Sequence, residues 1–423
     1  MQTLAVLITP FFLAGITWAD CGAADFADSK IPAPPQLLRD AGYQHFRTGQ
    51  FEKALACYTA ALQAAEARGS QNIGAMARDL NDIGVLSEEM GRYDDAKGYY
   101  ERELDVLRPL GEAGATALGE TYMQLGGLSL VEGYLSAGQS YYKKAVVLLT
   151  RHAGSDDPRT AKALGGLGRL YAEWGRYDES ARLLRNAKAI AEKNAPKFNG
   201  ALISILDSEA ALLSQTRKFA EAERCWLRAL KIAEHDYGES GLEYTALLLH
   251  LGQLYTGIRD YRAAQAMLER GLAAEQRAKG ADTMDRALAM SALGNVYVQQ
   301  HKLTQAEPLF LQSIQAMNAS CQAIPLACAA VRSYLGDFYM AKGQWQSAEA
   351  EYEQTVTMRE NALGEHPLVA SSLASWSQAL RKLKRNKEAK LCEARAQKIM
   401  SLPSYSALNS DNTVDVRAFR AGN

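Results

Sequence analysis

A glycine returns every 42 residues along most of this 423-residue chain, at Gly42, Gly84, Gly126, Gly168, Gly252, Gly294 and Gly336, with Ala210 in the one gap. A fixed period of this length constrains the fold more than composition does. One supersecondary unit must be copied, and each copy must bury its apolar face on the next. Residues around the marker keep the same phase. Four before it stand Leu38, Leu80, Tyr122, Leu164, Leu206, Leu248 and Met290, and one before it Ile83, Leu125, Leu167, Leu251, Leu293 and Leu335. Two after it stand Leu86, Leu128, Leu170, Leu212, Leu254, Val296 and Phe338. Offsets of −4, −1 and +2 trace one face of a helix.

Seven after the marker the pattern breaks at Gly49, Gly91, Gly133, Gly175 and Gly343, where glycine ends the helix and permits a tight turn. Two residues on comes a large side chain: Phe51, Tyr93, Tyr177, Phe219, Tyr261 or Trp345. Acidic residues such as Glu52, Asp94, Asp178 and Glu221 then suit the first turn of a second helix. That helix has its own grid. Small residues stand at +12 (Ala54, Ala96, Ser180, Ala222, Ala264, Ala306, Ala348), and large ones at +16 (Tyr58, Tyr100, Tyr142, Leu184, Trp226, Leu268, Phe310, Tyr352). Alanine recurs at +19 as Ala61, Ala145, Ala187 and Ala229. Small residues let two helices approach, and the large one fills the space beside them.

The order Leu-Gly-x-x-Tyr, then Ala-x-x-x-large, resembles the tetratricopeptide repeat, with good copies in Leu251-Gly252…Tyr255…Ala264…Leu268 and Leu335-Gly336…Tyr339…Ala348…Tyr352. The longer unit looks like the kinesin-light-chain type. Gly364-Glu365-His366-Pro367 and Asp157-Pro158 match its repeat-opening pattern, with proline in the first helical turn. The resemblance implies an all-α, right-handed superhelical solenoid of about nine helix-turn-helix repeats over residues 36–398. Glu209 and Arg332 depart from it at normally apolar positions. The ninth repeat, with Ala389 one short of the grid, looks like a degenerate cap.

The ends differ in kind. No charged side chain occurs from Leu4 to Trp18. The run is short for a membrane span and is broken by Pro10, so residues 1–24 read as a secretory signal cleaved after Ala19 or Ala24. Uncleaved, it would be a membrane anchor. Asp20 before Cys21 argues against lipoprotein processing. A bacterial protein exported to the periplasm or secreted is the expectation. Residues 25–35 form a proline-bearing linker, and residues 399–423 a polar tail, read either as a strap through Val414–Arg417 or as a disordered end. Six cysteines make no CxxC pair and no metal spacing. Cys321 and Cys328 bracket a short loop that an oxidising compartment permits to be bridged; two separate thiols are the plainer reading.

Chemistry is scarce. A formal net charge of −1 argues against a nucleic-acid partner. The six histidines form no metal-ligand pair, and neither GxSxG nor a phosphate-cradling loop occurs. No catalytic residue, metal, cofactor or small-molecule substrate is expected, and a membrane only through the leader. What remains is a non-catalytic scaffold for a protein or peptide, with an intracellular adaptor and an envelope assembly factor as alternatives. By the resemblance, peptides lie against the first helix of each pair, on the concave side. That picks out Arg39, Tyr43, Asn81, Asp82, Gln124, Arg169, Asp207, His250, Gln253, Asn295, Tyr334 and Asp337. The set is mostly polar and able to grip a peptide backbone. The paired Lys and Asn with which some members clamp a carboxylate are missing, Arg39 and Lys162 being too far apart in the array.

Overall fold

The 42-residue beat is realised as nine antiparallel helix pairs. The computed structural model describes Cys21 and residues 34–402, apart from 48–49, 69–71, 196–197, 240, 278–283, 318–320 and 322–323. The leader (Cys21 aside), most of the linker and the tail beyond residue 402 lie outside the described residues. The pairs are α1 (Pro35–Arg47) and α2 (Phe51–Ala67), α3 (Ile73–Glu89) and α4 (Tyr93–Leu107), and α5 (Ala115–Val131) and α6 (Leu135–His152). There follow α7 (Pro158–Glu173) and α8 (Tyr177–Asn194), α9 (Asn199–Gln215) and α10 (Phe219–Tyr237), and α11 (Leu242–Gly257) and α12 (Tyr261–Arg277). The last are α13 (Met284–Gln299) and α14 (Leu303–Met317), α15 (Pro325–Lys342) and α16 (Trp345–Leu363), and α17 (Pro367–Lys382) and α18 (Asn386–Met400). A 3-10 segment over Arg108–Gly114 joins the second pair to the third.

Packing explains the marker. A Cβ on Gly84 would stand 2.5 Å from the ring of Tyr100, and one on Gly252 2.5 Å from Leu268. The large +16 residue of the second helix thus lies directly on the backbone of the first. Tyr100 is fully buried and has no room to retreat. In the fifth pair Ala210 faces Trp226, which remains buried.

From the second pair onward the turn after the first helix has one geometry. Its residue takes positive φ at Gly91, Gly133, Gly175 and Gly343, and equally at Arg217 (61°), Arg259 (65°) and His301 (60°), where glycine is absent. Lys384 (61°) does the same one position early, so the ninth pair is a complete hairpin whose first helix is one residue short. Each non-glycine residue there costs about 1–2 kcal/mol of backbone strain.

Two departures from the pattern are paired off. Glu209 accepts from Lys188 Nζ at 2.6 Å, and Arg332 donates to Glu351 at 2.7 Å. The repeat-opening motifs are N-caps: Asp157 accepts from the Arg159 amide at 2.8 Å, and His366 Nδ1 from the Leu368 amide at 3.1 Å.

The rod also coils onto itself. Tyr93, Tyr100, Leu125 and Leu128 share one buried cluster with Ala287, Met317, Ile324 and Val331, four to five repeats further on. The Tyr93 hydroxyl reaches Met284 Sδ at 3.4 Å, 191 residues away. A Cβ on Gly133 would meet Ala362 at 2.8 Å, and His366 faces the backbone of Glu173. The helix-turn edge of the first superhelical turn therefore rests on the loop edge of the second.

Candidate functional site

The first helices of successive pairs touch one another, α7 with α9 and α13 with α15, and their polar residues, with Glu103 of α4 and Trp226 of α10, form separate groups. In the first group Arg39 is buried and donates to Asp79 at 2.7 Å, with Asp82 at 3.9 Å. Burial pushes Asp82 up to about 6 despite the guanidinium beside it. Tyr43, in contrast, is half exposed and stands apart from the ion pair.

The second group surrounds Glu103. Asn81 Nδ2 donates to its carboxylate at 3.2 Å, and the Thr121 side chain stands beside it, its hydroxyl donating to the Ala117 carbonyl at 2.9 Å. Glu103 is only 4% exposed and makes no ion pair among the described residues. Burial pushes it up to about 7; the Asn81 bond and the Thr121 side chain pull the other way, and the nearby carboxylates Glu120 and Asp82 add to the rise. Glu88 is alike: burial takes it up to about 7 although the Tyr100 hydroxyl donates to it at 2.5 Å. Glu103 of α4 lines a cavity of about 520 Å³ bounded by α3, the end of α4, the 3-10 segment, α5 and the start of α7, which Asn81 and Gln124 also line.

The third group joins three expected residues that are far apart in sequence. Asp207 accepts from His250 Nδ1 at 2.7 Å and stands 3.5 Å from Arg169. Trp226 Nε1 donates to the same carboxylate at 2.8 Å. Burial alone would raise Asp207; His250, Arg169 and Trp226 together outweigh it and hold the carboxyl below its usual range.

The remaining expected residues are not drawn into these groups. Asp337 accepts from the Tyr352 hydroxyl at 2.6 Å and is raised by burial. Tyr334, on the same helix, is half-buried. Asn295 is buried, and its Oδ1 has no hydrogen-bond partner among the described residues. Gln253 is half-buried on α11.

The model of the tetratricopeptide repeat matches residues 35–109, 117–193 and 326–401, more than half of the chain. The chain belongs to the tetratricopeptide-repeat family. No curated protein gives a significant match. Among solved structures it is similar to a Rap protein complexed with competence and sporulation factor (TM-score 0.62, 13% identity, 86% of this chain and 97% of that one). It is also similar to the Rap conjugation gene regulator of plasmid pLS20 in complex with the Phr* peptide (0.53, 13%, 88% and 97%). A third is aspartyl phosphate phosphatase F from Bacillus subtilis (0.52, 12%, 88% and 95%). At these identities the likeness is one of fold.

Within this tetratricopeptide coil the residues expected at the groove meet three that were not on the list: Asp79 of α3, Glu103 of α4 and Trp226 of α10. Glu103 had a signal: it stands at +19, where other repeats carry Ala61, Ala145, Ala187 and Ala229. A carboxylate at a position that packing fills with alanine marks something other than packing. Among the described residues no group of His, Cys, Asp and Glu gathers to hold a metal, and no helix is long and apolar enough to cross a membrane.

Cysteine pairing departs from the plainer reading. Cys321 and Cys328 are bridged, with Cα atoms 5.5 Å apart, and Cys21 is bridged to Cys57 of α2 with Cα atoms 5.4 Å apart. Cys21 is buried beside Leu38, Ala61 and Ala64, and Cys225 and Cys392 are free thiols.

Proposed function

We propose that this tetratricopeptide protein is a non-catalytic scaffold that holds a polypeptide along the inner face of its coil. The observation that carries the reading is the string of amide, hydroxyl and carboxylate groups from Asn81 to Asp337 on successive first helices, including the buried Asn295 carbonyl without an internal donor. Such groups match the alternating donors and acceptors of an extended backbone. The likeness to a Rap regulator solved with a peptide is in keeping with it. A peptide selected on the protein should photocrosslink to benzoylphenylalanine placed at Gln124 or Gln253. It should not crosslink from Val147 on α6 or Leu391 on α18, which are exposed on second helices. Crosslinks confined to the second helices would overturn the inner-face reading.

The protein works outside the cytoplasm in this reading. The apolar leader and two cysteine pairs within bonding reach support it, since such bridges persist in oxidising compartments. Because Cys21 pairs with Cys57, cleavage after Ala19 suits the structure better than cleavage after Ala24, which would discard Cys21. Intact mass of the native protein should place its start before Cys21, and denaturation without reductant should expose two reactive thiols, Cys225 and Cys392. A protein starting at Met1 with all six thiols free would favour the intracellular alternative.

A further inference from the structure

The cavity bounded by α3, α4, the 3-10 segment, α5 and α7 has a composition that selects its occupant. We propose that it seats a lysine or arginine side chain of the bound polypeptide, with the cationic head on Glu103. The inference rests on the inner face being where a polypeptide binds.

Three observations carry it. Glu103 is a buried carboxylate with a hydrogen-bond donor but no cation, standing where four other repeats have alanine. A buried charge without a counter-charge is costly, and the helix pair does not need it for packing. Second, the wall leading to it is apolar, built from Leu107, Leu110, Ala113 and Met123. A lysine or arginine stem is apolar along its length and charged at its tip, which fits that order of surfaces. Third, Asp82 and Glu120 lie close enough to add to the negative field at Glu103. An anionic group at the floor would meet the Glu103 carboxylate with Glu120, itself paired with Arg159 at 3.5 Å, beside it, and an apolar one would seal Glu103 from water without replacing its solvation.

The outer rim carries the opposite sign. Arg78 and Lys162 line the cavity and make no ion pair among the described residues, while Arg159 is held by Asp157 at 2.9 Å. The preferred segment therefore has an acidic residue next to its basic one, the first for the rim and the second for the floor.

Random peptides displayed on phage and selected on the full mature protein test this. Selected sequences should be enriched in Lys or Arg with a neighbouring Asp or Glu. Replacing that Lys by norleucine, or Glu103→Gln in the protein, should weaken binding about tenfold or more, as expected for a buried charge-assisted contact. Gln keeps the shape and the Asn81 hydrogen bond, and the norleucine peptide leaves the protein untouched. Peptides that bind the inner face with no basic enrichment, or whose binding ignores both changes, overturn the assignment while leaving the scaffold reading intact. If no peptide is retained, both fall.

Discussion

Repeat two buries acidic groups in one way, and repeats four to six in another. Asp207 is surrounded by His250, Arg169 and Trp226 and held charged below its ordinary range. Glu103 and Glu88 have only neutral donors and are pushed up to about 7. The first arrangement is complete in itself and clasps α7, α9, α10 and α11 together. The second leaves charge uncompensated where a cavity opens. Buried charge that the fold satisfies is structure; buried charge that it leaves unsatisfied is available to a ligand.

The sharpest way to break this comparison is to remove each carboxylate in turn. Asp207→Ala strands His250, Trp226 and Arg169 and should cost about 3–5 kcal/mol in urea unfolding. Glu103→Gln should not destabilise the fold at all, because an amide has no desolvated charge. Equal losses would mean that Glu103 is also a structural clasp.

Acidity gives a smaller effect with a definite sign. Glu88 and Glu103 have folded pKa values above the unfolded value near 4.5, so their contribution to stability is fully present below that value and is lost as pH rises through about 7. His366 runs the other way. Burial, with Arg359 adding, lowers it to about 4, so stability from its neutral form is present above its usual 6.5 and is lost as pH falls towards 4. Asp207, depressed, matters only below its usual 3.8. The test is therefore a difference. Between pH 8 and pH 5 the wild type should gain roughly 2–5 kcal/mol relative to the Glu88→Gln, Glu103→Gln double variant. Parallel curves would show the two glutamates to be ordinary surface carboxylates.

The turns divide the molecule one repeat later: repeats two to four use Gly91, Gly133 and Gly175 at positive φ, whereas repeats five to seven force Arg217, Arg259 and His301 into it. Arg259→Gly should raise stability by about 1 kcal/mol by thermal unfolding, the smallest of these effects. No gain would indicate that the arginine side chain repays its own strain.

Most of the fold was legible because one grid carries it. The −4, −1 and +2 residues pack as their spacing implies, and Phe51, Tyr93, Tyr177 and Trp345 each open a second helix as expected. Even the ninth repeat kept the pattern, since Lys384 supplies the left-handed turn one place early. The site was half legible. Asp207 and His250 are separated by 43 residues, so neighbouring repeats bring them together by register alone. Trp226 joins them from a second helix, which the concave-face argument does not consider. The meeting of Tyr93 with Met284 was not legible: it depends on small rotations between repeats summed over four or five of them, and no local pattern records that sum.

That last contact governs how anything gets in. If a polypeptide is held inside as proposed, the closure of Tyr93, Gly133 and Glu173 against residues of the later coil makes the lining a bore entered from its ends rather than an open trough. A strand fed endwise can pass along it, as thread enters a needle, whereas a loop held at both ends by a folded domain has no tip to offer. Capture by such a bore is slow compared with docking on an open surface, and release is slow for the same reason.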